Sequence, residues 1–230
     1  MPIVSQTEKN IGIGLRIVNG TNPFNSDYVS SDPIHINSCG YNLFDPSIKR
    51  VEISRPAGRL DYQLIYIQEG KGDFIIQGKK QVLSAGSLIL YTPGTPQVYS
   101  FHNSERTISY FIHFTGEWIP ELLKTISSDN HMVFSLENGL FFSDCILKIY
   151  RELQLHAYNY DLMCASTFVE LITTISRSIK TYSVQLEQTD NAFAPALHIM
   201  NNQFHKDLSI EEYADLCGMS PYYFVHKFKE

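Results

Sequence analysis

Leu64-Ile65-Tyr66-Ile67, then Gln68-Glu69-Gly70-Lys71-Gly72-Asp73, then Phe74-Ile75-Ile76 form one continuous stretch: an apolar run, a turn with two glycines, and a returning apolar run. β-Branched and aromatic side chains suit a pleated surface, and glycine supplies the backbone freedom of a tight turn. The stretch predicts a β-hairpin, and the pattern continues outward from it. Gln77-Gly78-Lys79-Lys80 turns again, and Ser87-Leu88-Ile89-Leu90-Tyr91 reads as a strand stopped by Thr92-Pro93-Gly94-Thr95-Pro96. Gln97-Val98-Tyr99-Ser100-Phe101 and the run 108–114 follow. Many short strands at close spacing predict an antiparallel barrel or sandwich over residues 1–118.

After Glu117 the period becomes helical. Phe142, Ile146, Ile149 and Leu153 fall on one helix face, and Ala165, Phe168, Ile172, Ile175 and Ile179 recur at heptad spacing. Such a seam suits either a second copy of the helix or the chain's own sheet. Residues 119–183 are therefore expected to form a helical dimerisation segment, with the homodimer joined through 139–182. The polar, aperiodic stretch 184–193 reads as a linker. Beyond it lies a compact helical unit, 194–230. Ser209 with Glu212 three residues on makes a capping box, Gly218 stops that helix, and Ser220-Pro221 starts the next. Two short helices around a glycine turn are the helix-turn-helix arrangement, whose second helix can enter a DNA major groove.

Composition narrows the function. The 230 residues are 43% hydrophobic and 18% charged, with a net charge of −6, which supports a packed core and argues against a protein that coats nucleic acid. No stretch reads as a signal peptide or a membrane span, so the expectation is a cytoplasmic protein without a membrane partner. The four cysteines, Cys39, Cys145, Cys164 and Cys217, stand far apart and suggest neither a zinc site nor a disulfide scaffold.

The segment Ser209-Ile210-Glu211-Glu212-Tyr213-Ala214-Asp215-Leu216-Cys217-Gly218-Met219-Ser220-Pro221-Tyr222-Tyr223-Phe224, continuing through Phe228-Lys229, resembles the first helix-turn-helix of AraC-type transcription regulators. The resemblance implies DNA as a partner, with Ser220, Tyr222, Val225, His226 and Lys229 as the contacting positions. His226 stands where the family usually has Arg, which alters the expected base preference. The family's DNA-binding part carries two such units, and this sequence ends at Glu230 within the first, so an incomplete DNA-binding domain is expected. Its acidic residues also outnumber Lys206, Lys227 and Lys229, so weak DNA binding is expected from this segment alone.

Arg55-Pro56-Ala57-Gly58, Asp61 to Tyr66, Gly70-Lys71-Gly72, Ala85 to Gly94, and His113-Phe114-Thr115-Gly116 are similar to the cupin-like effector domain of the same family. The fold implied is α+β: an N-terminal cupin-like antiparallel β-barrel, a helical dimerisation pair, and an incomplete all-α helix-turn-helix domain. The resemblance points to Arg55, Tyr99 and Phe111 as pocket positions, with Gln97, Ser109 and His113 beside them. Arginine donors suit hydroxyl or carboxylate oxygens, and aromatic faces suit a ring. A small polar effector, a sugar by preference, is expected there. Metal cupins need converging imidazole and carboxylate ligands. After Arg59 this chain has Asp61, Tyr62 and Gln63, and Gln97 follows the Pro-Gly turn, so no metal, cofactor or catalytic residue is expected. The competing readings are a cupin-fold enzyme, an isomerase or oxygenase, and a dimerisation module with no ligand.

Overall fold

The structure, a computed structural model, describes residues 13–19, 27–44, 52–104, 106–126, 132–136, 139–188, 193–202 and 208–228. Among the described residues, nine strands precede the first helix: β1 (Ile13–Val18), β2 (His35–Phe44), β3 (Glu52–Arg55), β4 (Tyr62–Glu69), β5 (Lys71–Ile76), β6 (Lys79–Ser84), β7 (Ser87–Tyr91), β8 (Gln97–Phe101) and β9 (Thr107–Thr115). The short helix α1 (Ile119–Leu123), the strand β10 (Val133–Ser135) and the long helices α2 (Leu140–Leu155) and α3 (Tyr160–Gln188) follow. The chain ends with α4 (Ala194–Asn202), α5 (Ile210–Leu216) and α6 (Pro221–Phe228).

All described strand pairings are antiparallel, in a six-stranded sheet of order β1-β2-β9-β4-β7-β10 and a four-stranded sheet of order β3-β8-β5-β6. The expected barrel is thus replaced by two sheets, since no hydrogen-bonded ladder joins them among the described residues. Between them lies a layer of rings, with Phe44 stacked on Phe101 at 4.9 Å and Phe74 on Tyr99 at 5.3 Å. Side-chain packing joins two sheets at roughly 10 Å, whereas a ladder needs strands about 4.8 Å apart.

The other face of the six-stranded sheet is covered by α2 and α3. Strand alternation decides which residue meets which layer. Leu64, Tyr66, Leu88, Leu90, Ile112 and Phe114 pack on the helices, while Ile65, Ile67, Ile89, Tyr91 and Phe111 pack toward the four-stranded sheet. In β2 the register shifts between Ile36 and Ser38, and Ile36 and Cys39 both join the helix-side core. Gly139 lies against the Tyr66 ring, where a Cβ would collide.

Three expectations about organisation change. The heptad seam faces inward: Phe168, Ile172 and Ile175 are fully buried under the sheet, and Phe168 touches Phe114 at 4.5 Å between ring centroids. A helix laid on a sheet needs the same apolar spacing as a coiled coil. By length and mean hydropathy of 1.2, Tyr160–Ile179 could cross a membrane, yet this same seam makes it a core helix. Residues 133–135 extend the sheet beyond the boundary at 118, and α3 runs to Gln188, into the expected linker, whose Gln, Glu and Leu residues favour helix.

The last three helices share a separate small core of Ala196, Ala214 and Phe224. The capping box of α5 forms as its spacing predicts: Glu212 N donates to Ser209 Oγ at 3.2 Å, and Ser209 N donates to Glu212 Oε2 at 2.7 Å. Gly218, at φ 64°, makes the turn into α6.

Candidate functional site: a cavity between the sheets

The layer between the sheets is incompletely filled toward one end. There a cavity of about 80 Å3 is lined by side chains of both sheets, among them Arg55, Gln63, Tyr99, Ser109, Phe111 and His113. Alternation builds it: Ser109, Phe111 and His113 are successive same-face positions of β9, and Gln63 and Ile65 are the facing positions of β4. Arg55 ends β3 directly opposite Gln97 of β8, and its Nη1 donates to Gln97 Oε1 at 2.9 Å.

A charged cluster shares part of this lining through Arg59 and His113. Arg59 forks onto Asp61, Nε to Oδ1 at 2.7 Å and Nη2 to Oδ2 at 2.9 Å. Asn37 Nδ2 donates to Asp61 Oδ2 at 2.9 Å and to the Tyr28 carbonyl at 2.8 Å. Asp61 is wholly buried, and burial alone would raise its pKa, but the hydrogen bonds and positive charge of Arg59 hold the carboxyl below the usual range. His113 Nδ1 lies 3.4 Å from Asp61 Oδ1 without forming a well-shaped hydrogen bond. Burial pushes the His113 pKa down to about 4, with Arg59 and Arg55 adding to the effect and Asp61 opposing it, so the ring is neutral at pH 7.

Several buried polar atoms here have no protein partner: Gln63 Oε1, Ser109 Oγ, Gln97 Nε2 and the His113 Nδ1 just described. Such groups are rare in folded interiors because each forfeits its hydration without replacement. Gln63, Ser109 and His113 all line the cavity, where a ligand or water can meet them. Among the described residues, no group of three or more His, Cys, Asp or Glu could hold a metal ion.

Of the six pocket residues named from sequence, Arg55, Tyr99, Ser109, Phe111 and His113 line this cavity, and Gln97 sits behind it as the partner of Arg55. Arg16, Asn42, Phe44, Ile53, Arg59, Gln63, Ile65 and Phe101 also line it and were not named. Gln63 carried a signal: a polar residue on the buried alternate of an apolar strand.

At the other end of the chain, Ser220 Oγ accepts from Tyr223 N at 3.3 Å and caps α6. Tyr222 is exposed, with its ring 6.3 Å from that of His226, which is also exposed. Val225, expected at the DNA-contacting surface, is instead partly buried against the small helical core, because that position packs beside Phe224. Lys229 lies outside the described residues.

Comparison with known proteins places this architecture. The family described as the AraC-like ligand binding domain matches residues 51–172. No curated protein matches the sequence. Among solved structures, ToxT from Vibrio cholerae strain SCE256, bound to an unsaturated fatty acid, is similar at 9% identity and a TM-score of 0.39, over 85% of this chain and 72% of that one. ToxT from V. cholerae O395 is similar at 12% identity and a TM-score of 0.39, over 86% and 74%. The EutQ protein of Clostridium difficile is similar at 19% identity and a TM-score of 0.27, and the match covers 36% of this chain and 55% of EutQ. The family match covers more than half of the sequence and includes most of the cavity's lining, and the chain belongs to the AraC-like ligand-binding domain family.

Proposed function

We propose that the chain is a ligand-responsive transcription regulator, in which the cavity between the sheets binds a small polar metabolite and releases it unchanged. The observation that carries this reading is the cavity's inner surface: Gln63, Ser109 and His113 are almost fully buried, line it, and have polar atoms without protein partners. A sugar, the class favoured by the sequence, and a small acid are the two candidate effectors.

In this reading α5 and α6 form a helix-turn-helix whose exposed Tyr222 and His226 contact DNA, in the cytoplasm, within a homodimer. The heptad seam is spent on the sheet, so the dimer would use other surface of the helical pair, such as that around the turn between α2 and α3, where Leu155, Tyr158 and Leu162 are exposed. Ligand binding shifts the equilibrium between two dimer arrangements only by its difference in affinity for them.

A thermal-shift screen of the chain against sugars, glycosides and small organic acids tests the pocket. A ligand at a hundred times its Kd adds about 2.7 kcal/mol of stability. The expected hit is lost in Arg55→Ala. Enrichment of particular duplexes from a random DNA pool, altered by the hit, tests the regulator. A pool that stays random with and without ligand would remove DNA binding from the proposal.

A further inference from the structure

We infer, on the basis of the effector-pocket reading, that the ligand is a single-ring hydroxycarboxylic acid, with its carboxylate on Arg55 and its hydroxyl donating to Gln63 Oε1. The charges around the cavity carry the first half. Asp61 is matched by the fork of Arg59, Arg16 at the lining is not without a partner, and His113 is neutral. Arg55 differs: it makes one hydrogen bond, to the neutral amide oxygen of Gln97, and no ion pair with any described residue. A guanidinium has five N–H donors in a planar fork that fits a carboxylate through two parallel bonds. Arg55 is half-buried, so the ligand's charged end stays beside solvent rather than in the interior.

The second half rests on Gln63. Its Oε1 can only accept, it is without a partner, and its residue is 2% exposed. A second carboxylate would be repelled there, whereas a hydroxyl supplies the missing proton. Ser109 Oγ, also unpartnered, can donate to that same hydroxyl, whose own proton goes to Gln63. Ile53, Ile65, Tyr99, Phe101 and Phe111 form the apolar part of the lining, beside Arg16, Asn42 and Arg59. A sugar has hydroxyls on every side, and those turned toward the apolar side chains would lack partners, which is unfavourable. The volume agrees with a compact body: about 80 Å3 is room for roughly six waters at ~10–15 Å3 each.

The test is calorimetric titration of the full chain with four probes: 4-hydroxybenzoate, benzoate, methyl 4-hydroxybenzoate and xylose. 4-Hydroxybenzoate should bind saturably and at least tenfold more tightly than its uncharged ester. Arg55→Gln should bring the acid down to the affinity of the ester, with Arg55→Lys between. Gln63→Leu should erase the preference for 4-hydroxybenzoate over benzoate. The melting temperature of each ligand-free variant shows whether it is folded, and the Lys variant keeps the charge test alive if Gln destabilises. Equal binding of acid and ester overturns the inference. So does failure of both acids to bind. Xylose binding that disappears in Phe111→Ala would overturn the acid while leaving the effector pocket intact, and the broader screen decides the pocket separately.

Discussion

On its helix side the six-stranded sheet presents Leu64, Leu88, Ile112 and Phe114, all fully buried, to Phe142, Ile146, Phe168 and Ile172. On its other side the same strands present Gln63, Ser109, Phe111 and His113 to a cavity. The backbone is shared, so the difference lies in the side chains and in what covers them. The first face is sealed and apolar. The second carries polar groups that the protein alone does not satisfy, a cost in stability of about 1–3 kcal/mol for each such group. The helix side carries apolar burial, whereas the other side combines a second apolar core with the unsatisfied polar groups of the cavity.

The largest blow to this contrast comes from the sealed face. Phe168→Ala should lower unfolding free energy by about 3–5 kcal/mol in urea titration, the range for a buried Phe that leaves a void. A loss under about 1 kcal/mol would show that the helix side is not the stabilising one.

The next effect sits on the cavity face and depends on pH. An unfolded His takes up a proton near pH 6.5, whereas folded His113 does so only near 4, so the unfolded chain holds more protons in that window. Stability should therefore fall as pH drops from 6.5 to 4, by about 3 kcal/mol at one-and-a-third kcal/mol per pKa unit. His113→Gln should flatten that part of the profile. Asp61 acts in the same direction at lower pH, because its folded pKa is also depressed and its stabilisation disappears on protonation.

Phe111→Ala is the matched comparison for Phe168→Ala. Its ring borders a space that is already empty, so about 2 kcal/mol of lost burial is expected without a full cavity penalty. Ligand binding should disappear. Equal costs for the two substitutions would break the contrast between the faces. The smallest effect lies outside both. Ser209→Ala should cost about 1 kcal/mol, confined to α5 and its small core. Native-state hydrogen exchange at 210–216 should accelerate while sheet amides keep their protection.

The strands were legible in the sequence because alternation and turn residues are local signals, and the capping box of α5 was legible for the same reason. The choice between a closed barrel and two separate sheets was not, since closure depends on pairings between distant strands. The heptad seam left two packings open because a helix on a sheet and a helix on its own copy require identical spacing. β10 is only three residues long and carries no period of its own. Arg55, Tyr99 and Phe111 were found through a family resemblance, and Ser109 and His113 as candidates near them. The cluster of Asn37, Arg59, Asp61 and His113 is assembled from β2, the turn before β4, and β9, and no sequence spacing announces it.

The alternation of β4, β7 and β9 has a consequence for how such a protein changes over generations. In all three strands the odd-numbered residues face the cavity layer and the even-numbered ones face the helices: 63, 65, 67, 89, 91, 109, 111 and 113 against 62, 64, 66, 88, 90, 110, 112 and 114. Substitutions at odd positions can explore new ligands while the even positions keep the scaffold intact. A library confined to residues 63, 65, 109, 111 and 113 would be a compact place to search for altered effector choice.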